Sequence, residues 1–279
     1  CYAKQEDYSA ACDYYKTAVE IDPNNGSYYR DYAIALAYCG ETDRSEEILD
    51  SARDQGLDSV EVSYVKGEIL FNTGDYQGAK QIFLNSIDDT EDSYTKMRAY
   101  IMTCRCIDNL DSSINGKNEK ISLLEKASKE IGRENNIGIL EELAQTYCDA
   151  GDETDNAEYY RKAIGVFEQI EKQDMADYDT EYNMAVLYQN IHDYASAENK
   201  LNHILDVYGE NYRTYKSLAF LEVAEQSALS ADKRNYSKFE QYYRKSKELY
   251  QKTDVSNAND VEMDRLDELY QQAVDSGWL

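Results

Sequence analysis

One spacing dominates this sequence. Tyr2, Leu36, Leu70 and Cys104 recur at intervals of 34 residues, as do Tyr15, Leu49 and Phe83, and Ala11, Ser45 and Ala79. Small residues keep the same interval in Ala33 and Gly67, in Ala18, Ala52 and Ser86, and in Gly40 and Gly74. The interval returns later in Tyr160 and Tyr194, Ala163 and Ala197, Phe167 and Leu201, Ile170 and Ile204, and Ala185 and Ala219. A fixed period of this length means a stack of like units, none of which can bury its apolar face alone. Composition makes the unit helical: one Pro and 13 Gly in 279 residues leave too few turn residues for a strand-rich fold.

The segments GDYQGAKQIFLNSI (74–87) and EDYSAACDYYKTAVEIDPNN (6–25) resemble the second helix of the tetratricopeptide repeat (TPR), the latter with the closing Asp-Pro of that family. The resemblance covers nearly the whole chain and is to bacterial members of the family, of which this chain reads as a fragment. It implies an all-α fold: about 14 helices in antiparallel pairs, stacked as a right-handed superhelical solenoid. Within each pair, Ala33, Gly67, Ala144, Ala185 and Ala219 would sit where the first helix is crossed closely by the second. Ala11, Ala79, Ala163 and Ala197 would play the reciprocal role. The 27 Tyr, against five Phe and one Trp, then read largely as scaffold: apolar bodies with a hydroxyl able to reach water or a carbonyl.

The phase divides the chain. Residues 1–25 hold a partial N-terminal repeat, the end of a first helix plus a second helix. Six repeats follow at about 26–59, 60–93, 94–136, 137–177, 178–211 and 212–253. Three of these carry lengthened inter-helix turns: DNLDSSINGKN (108–118), GDETDNAE (151–158) and SALSADKRN (227–235). A capping helix at about 258–275 closes the chain within 254–279. Cys1 falls inside a helix by phase, so the first second-helix lacks a full partner and its apolar face is expected to be exposed. A rival reading makes Cys1 the lipidated residue of a cell-surface lipoprotein.

Chemistry is sparse. The charge sum of −26, from 29 basic and 55 acidic residues, repels nucleic acid and anionic lipid, and no apolar run is long enough to cross a membrane. The six Cys form no CxxC pair, and Cys12, Cys39 and Cys104 occupy sites that want small or apolar groups, as free buried thiols would. Only two His exist, His192 and His203, without Cys or acidic partners at ligand spacing. No nucleophile, phosphate-loop or dinucleotide motif is present, so neither catalysis, metal nor cofactor is expected.

What remains is surface. In the TPR family the first helices line the concave face and contact ligand. Carried over, this implies groove positions at Arg30, Ile34, Ala37 and Tyr38 in the first repeat, Tyr64, Glu68, Phe71 and Asn72 in the second, and Arg98, Met102, Arg105 and Cys106 in the third. The fourth offers Glu141, Gln145, Cys148 and Asp149, the fifth Tyr182, Val186, Gln189 and Asn190, and the sixth Lys216, Phe220, Val223 and Ala224. Isolated cations beside apolar seats suit a peptide with hydrophobic anchors and a carboxylate. The carboxylate clamp of chaperone-binding members is matched weakly, with Ile34 and Val65 where that clamp has Asn. The expected function is a non-catalytic scaffold for a protein or peptide, cytoplasmic and part of a larger chain. Two alternatives stay open: the regulatory tail of a bacterial signalling kinase or transcription regulator, and the lipid-anchored cell-surface protein.

Overall fold

The computed structural model describes residues 8–56, 59–252 and 260–279, and among them every regular element is helical. The readings made at Cys1 and Tyr2 lie outside the described residues. Two compact units make up the chain, Cys1–Ala150 and Gly151–Leu279.

The first unit contains α1 (Tyr8–Ile21), α2 (Gly26–Tyr38), α3 (Thr42–Asp54), α4 (Ser59–Asn72), α5 (Tyr76–Asp89), α6 (Ser93–Leu110), α7 (Ile114–Glu130) and most of α8 (Ile137–Thr154). Successive helices pack as antiparallel hairpins, α2 on α3, α4 on α5 and α6 on α7. The small residues of the 34-residue pattern sit at the crossings. Ala33 and Ala79 are fully buried, and a Cβ on Gly67 would lie 2.7 Å from the Phe83 ring. Ser45, at one such crossing, donates its hydroxyl to the Ala33 carbonyl at 2.8 Å, which satisfies both groups out of water. Ala33, Ala37, Leu49, Val62, Val65 and Ile69 form one apolar cluster across α2, α3 and α4. At the start of the chain, α1 is held more thinly: it buries only Ala11, and Tyr14 (61%) and Ile21 (79%) stand exposed.

The second unit holds the end of α8, then α9 (Ala157–Lys172), α10 (Tyr178–Asn190), α11 (Tyr194–Tyr208), α12 (Tyr212–Ala228), α13 (Ser237–Lys252) and α14 (Val261–Asp275). The hairpins α10/α11 and α12/α13 repeat the arrangement. Ala219, Tyr236, Phe239, Met263, Leu266 and Ala273 form the cluster that seats α14 on α12 and α13.

Helix starts follow short polar side chains. Asp75, Asp92, Asp177, Asp193, Asn211 and Asp260 each accept a backbone N–H of the first turn that follows them. Helix ends need a left-handed residue where the turn is tight. Gly74 supplies it at φ +90°, and His192 takes the same role at φ +62°. Behind both, an N–H closes the turn onto the helix: Asp75 onto Leu70 and Asp193 onto Tyr188, each at 2.9 Å.

Two of the three lengthened turns are not turns. The extra residues of 108–118 lengthen the helices on either side, giving α6 18 residues and α7 17, joined by 111–113 alone. Asp111 and Ser113 supply the reason, since their side chains accept the Ser113 and Asn115 N–H groups and complete the connection in three residues. Likewise α8 runs on through Gly151 to Thr154. That glycine marks a close approach: a Cβ there would lie 2.6 Å from the Tyr160 ring, whose hydroxyl donates to Asp152 at 2.7 Å. Only the connection after α12 is long, with a 3-10 turn at Ala231–Lys233.

Candidate functional site

The inner-face positions of the first unit come from α2, α4 and α6. The structure brings Arg30, Tyr64 and Arg98 together, but around a residue that the repeat pattern did not single out. Glu61, in the first turn of α4, accepts from Arg98 at 3.3 Å and lies 3.9 Å from Arg30, which also pairs with Asp31 at 3.0 Å. The Arg98 guanidinium stacks over the Tyr64 ring with 4.0 Å to its centroid. Tyr64 is buried beneath it, and burial pushes its hydroxyl up to about 12 against the opposing pull of Arg98. Glu68, one turn further along α4, is also raised by burial, with Arg98 acting against the shift.

The chemistry of this surface therefore differs from the expectation. Arg98 and Arg30 already have carboxylates, because 55 acids crowd any cation on the same face. Met102 is buried, with Arg105 donating weakly to its sulfur at 3.7 Å, so neither Tyr64 nor Met102 is an open apolar seat. Phe71 packs edge-on against Tyr76 at 5.3 Å, and Tyr38 stacks on Tyr8 at 4.3 Å. Gln145, exposed on α8, donates to Asp149 at 2.7 Å. Of the implied groove positions in this unit, Arg105 alone is an exposed cation without a carboxylate at ion-pair distance among the described residues.

The second unit differs. Residues of α10, α12 and α14 line an open cavity of about 350 Å³. Its walls include Tyr182, Val186, Gln189 and Asn190 of α10 and Phe220, Val223 and Ala224 of α12, all groove positions implied by the resemblance. The structure adds Ser217 of α12 and Glu262, Arg265 and Leu269 of α14. Tyr182 and Ser217 share a hydrogen bond at 2.7 Å across the α10–α12 seam. Arg265 lies over the Phe220 ring at 5.7 Å and has no carboxylate at ion-pair distance among the described residues. Valine, phenylalanine and leucine here offer an apolar floor, and the Gln189 and Asn190 amides offer donors and acceptors at its edge.

Lys216 does not line this cavity as a free cation. It is 4% exposed and bridges Asp260 at 2.8 Å and Glu262 at 2.6 Å, at the start of α14. Burial works against its charge, but the hydrogen bonds to the two carboxylates prevail and hold it above its ordinary value. Asp260, despite burial, is held below the usual carboxylate range by Lys216 and by the N–H groups it caps. The residue expected in the groove is the anchor of the terminal helix. The sequence carried part of the signal: an Asp before Val261 marks an N-cap.

The two histidines are separate. His192 accepts or donates at the Tyr194 hydroxyl, 3.1 Å away, in its turn. His203 contacts the buried Glu181 at 2.5 Å on the outer side of α10 and α11. Among the described residues no group of three or more His, Cys, Asp or Glu could hold a metal ion, and no helix is long and apolar enough to cross a membrane.

Comparison with known proteins bears on the fold. Residues 2–69 match the family model described as tetratricopeptide repeat. No curated protein matches the sequence. The structure is similar to the C-terminal part of a TPR repeat-containing protein from Cytophaga hutchinsonii, with a TM-score of 0.61 and 14% identity over 94% of this chain and 96% of that one. It is also similar to the apo form of RapI, with a TM-score of 0.50 and 15% identity over 88% and 77% of the two chains. At these identities the likeness concerns the fold alone.

Proposed function

We propose that this chain of tetratricopeptide repeats is a non-catalytic interaction scaffold that takes an extended segment of a partner protein into the α10–α12–α14 cavity. The observation that carries this reading is the lining: seven implied groove positions of two consecutive repeats converge on one 350 Å³ cavity whose lining combines apolar and amide groups. An apolar side chain of the partner would sit against Phe220, Val223 and Leu269, with its backbone beside Gln189 and Asn190. Lys216 is engaged by carboxylates, and Arg265, the lining cation without a carboxylate at ion-pair distance among the described residues, lies over the Phe220 ring. The net charge of −26 favours encounter with a segment that is basic around its apolar anchor.

Selection from a random peptide library displayed against the full chain tests the reading. The enriched peptides should combine one bulky apolar residue with flanking Lys or Arg, and should bind more slowly as salt is raised. Phe220→Ala should weaken them about tenfold or more, the scale of losing an aromatic contact at the centre of an interface. Peptides that bind Phe220→Ala and Gln189→Ala as tightly as the native chain would remove the cavity from consideration.

A further inference from the structure

The thiols of Cys12 and Cys39 lie 3.8 Å apart, sulfur to sulfur, on two different helices. Cys12 is on α1, and Cys39 is the residue that closes α2. The approach is fixed by a second contact one helical turn away. Tyr8, four residues before Cys12, stacks face to face on Tyr38, the neighbour of Cys39, with 4.3 Å between centroids and 10° between planes. The two sulfurs thus face each other across the α1–α2 seam, and closing to bond length requires a movement of about 1.8 Å, within reach of side-chain rotation. Of the other described cysteines, Cys104 and Cys106 are buried on α6, and Cys148 is half-buried on α8.

We infer that Cys12 and Cys39 are an oxidisable pair, which a low-molecular-weight disulfide converts into an intramolecular bond that fastens α1 to α2. The order of events follows from exposure. Cys39 is exposed and meets the oxidant first; Cys12 is half-buried. Burial and the adjacent Cys39 thiol push Cys12 up to about 12, which makes it a poor first nucleophile. The Cys39 thiolate attacks the small disulfide, forming a mixed disulfide and expelling one thiolate, which takes up the proton that Cys39 lost. Cys12 then gives up its proton and attacks the Cys39 sulfur, displacing the second small thiol. Two protein thiols are oxidised by two electrons, one small disulfide is reduced to two thiols, and excess thiol reverses the sequence.

The consequence falls on the element that is held most thinly. Ala11 is the one side chain of α1 that is buried among the described residues. A bond across 27 residues of chain removes much of the freedom of the opened state. Oxidation therefore fixes α1 on α2, and reduction frees it to expose the rest of its apolar face.

The experiment uses the full chain, incubated with oxidised glutathione, then unfolded, alkylated and mapped by mass spectrometry. The expected result is a loss of two hydrogens per chain in a peptide pair joining Cys12 to Cys39, with Cys104 and Cys106 still alkylated. Amide exchange across 8–21 should slow on the order of 100-fold relative to the reduced chain, the scale of a loop of this length. Cys39→Ser should lose both effects, and Cys1→Ser should keep both. Accumulation of glutathione on Cys39 with Cys12 still free would overturn the pairing. A link that forms but leaves exchange across 8–21 unchanged would overturn the fastening.

Discussion

Replacing Lys216 with Met separates two roles for one residue. If Lys216 were a groove cation, Lys216→Met would weaken a ligand and leave the fold alone. As the structure has it, the substitution removes the cation that joins α12 to the start of α14. Its side chain is 6% exposed, against 16% for Asp260 and 65% for Glu262. Breaking a buried pair from one side costs about 3–5 kcal/mol when a charge is left without compensation. Asp260 is not wholly abandoned, since it still accepts the Glu262 N–H at 3.0 Å and the Met263 N–H at 3.4 Å. Glu262 can turn to water, where its pairing contributes little. The expected loss is therefore about 2–3 kcal/mol, or roughly 30- to 150-fold more frequent opening of α14. Met263, Leu266 and Ala273 keep the helix docked on average.

The chain carries its own reporter for this event. Trp278 is the one tryptophan, and its ring stacks on Tyr236 at 5.0 Å, just beyond α14. In Lys216→Met, amide exchange across 261–275 should accelerate and the urea transition followed by Trp278 emission should move to lower urea. Asp260→Asn should cost less, because Asn keeps the N-cap and loses only the charge. The pH dependence has a definite sign. Lys216 is raised, so its stabilisation is present below its ordinary 10.5 and is lost as pH rises through its folded value. Asp260 is lowered, so its stabilisation is present above 3.8 and is lost as pH falls through its folded value. The gap between native and Lys216→Met should be widest between those limits. Native-like exchange and native-like urea midpoint in Lys216→Met would refute the anchoring role.

Gly67→Ala should destabilise the first unit by about 1–2 kcal/mol in urea, because its Cβ would press on a fully buried Phe83 and the gain in helix propensity offsets only part of that. His192→Gly should stabilise the second unit by about 0.5–1 kcal/mol, since glycine holds the left-handed turn without strain and the ring contact with Tyr194 is a small loss; a lower melting temperature would count against that account.

The helices and their close crossings were legible because they rest on one-body constraints. A small residue every 34 positions says where two backbones meet, whatever else is nearby, and Ala33, Gly67, Ala79, Ala197 and Ala219 all proved to be such places. Glycine was ambiguous where two constraints give the same letter. Gly151 looked like the opening of a turn and is a close approach to Tyr160 inside a helix. The long turns were misread because cap chemistry at Asp111 and Ser113 allows a three-residue connection, leaving the spare residues free to extend helices. Seven of the positions implied for a groove line one cavity. The electrostatics of the implied positions were not legible, because the state of Arg30, Arg98 and Lys216 depends on which acid stands opposite, and Glu61 and Asp260 lie 31 and 44 residues away along the chain from Arg30 and Lys216.

That dependence explains why an acidic chain bearing inner-face cations need not be a receptor for carboxylates. With 55 acids and 29 bases, each cation on a crowded face meets an internal carboxylate before any ligand arrives. An incoming carboxylate would have to displace Glu61 from Arg98 and approach through a field of its own sign, gaining little from the exchange. Among the described residues, Arg105 and Arg265 lie instead against soft or aromatic groups, the Met102 sulfur and the Phe220 ring. Their charge is presented beside apolar surface, and Arg265 does this at the cavity itself. The surface is thus graded by distance. Beyond a Debye length of about 8–10 Å the field is screened; on the proposed reading, attraction inside it is to basic segments, and at contact Phe220, Val223 and Leu269 take over. Encounter rate should therefore follow ionic strength, and the lifetime of the complex should follow the apolar residue that fills the cavity.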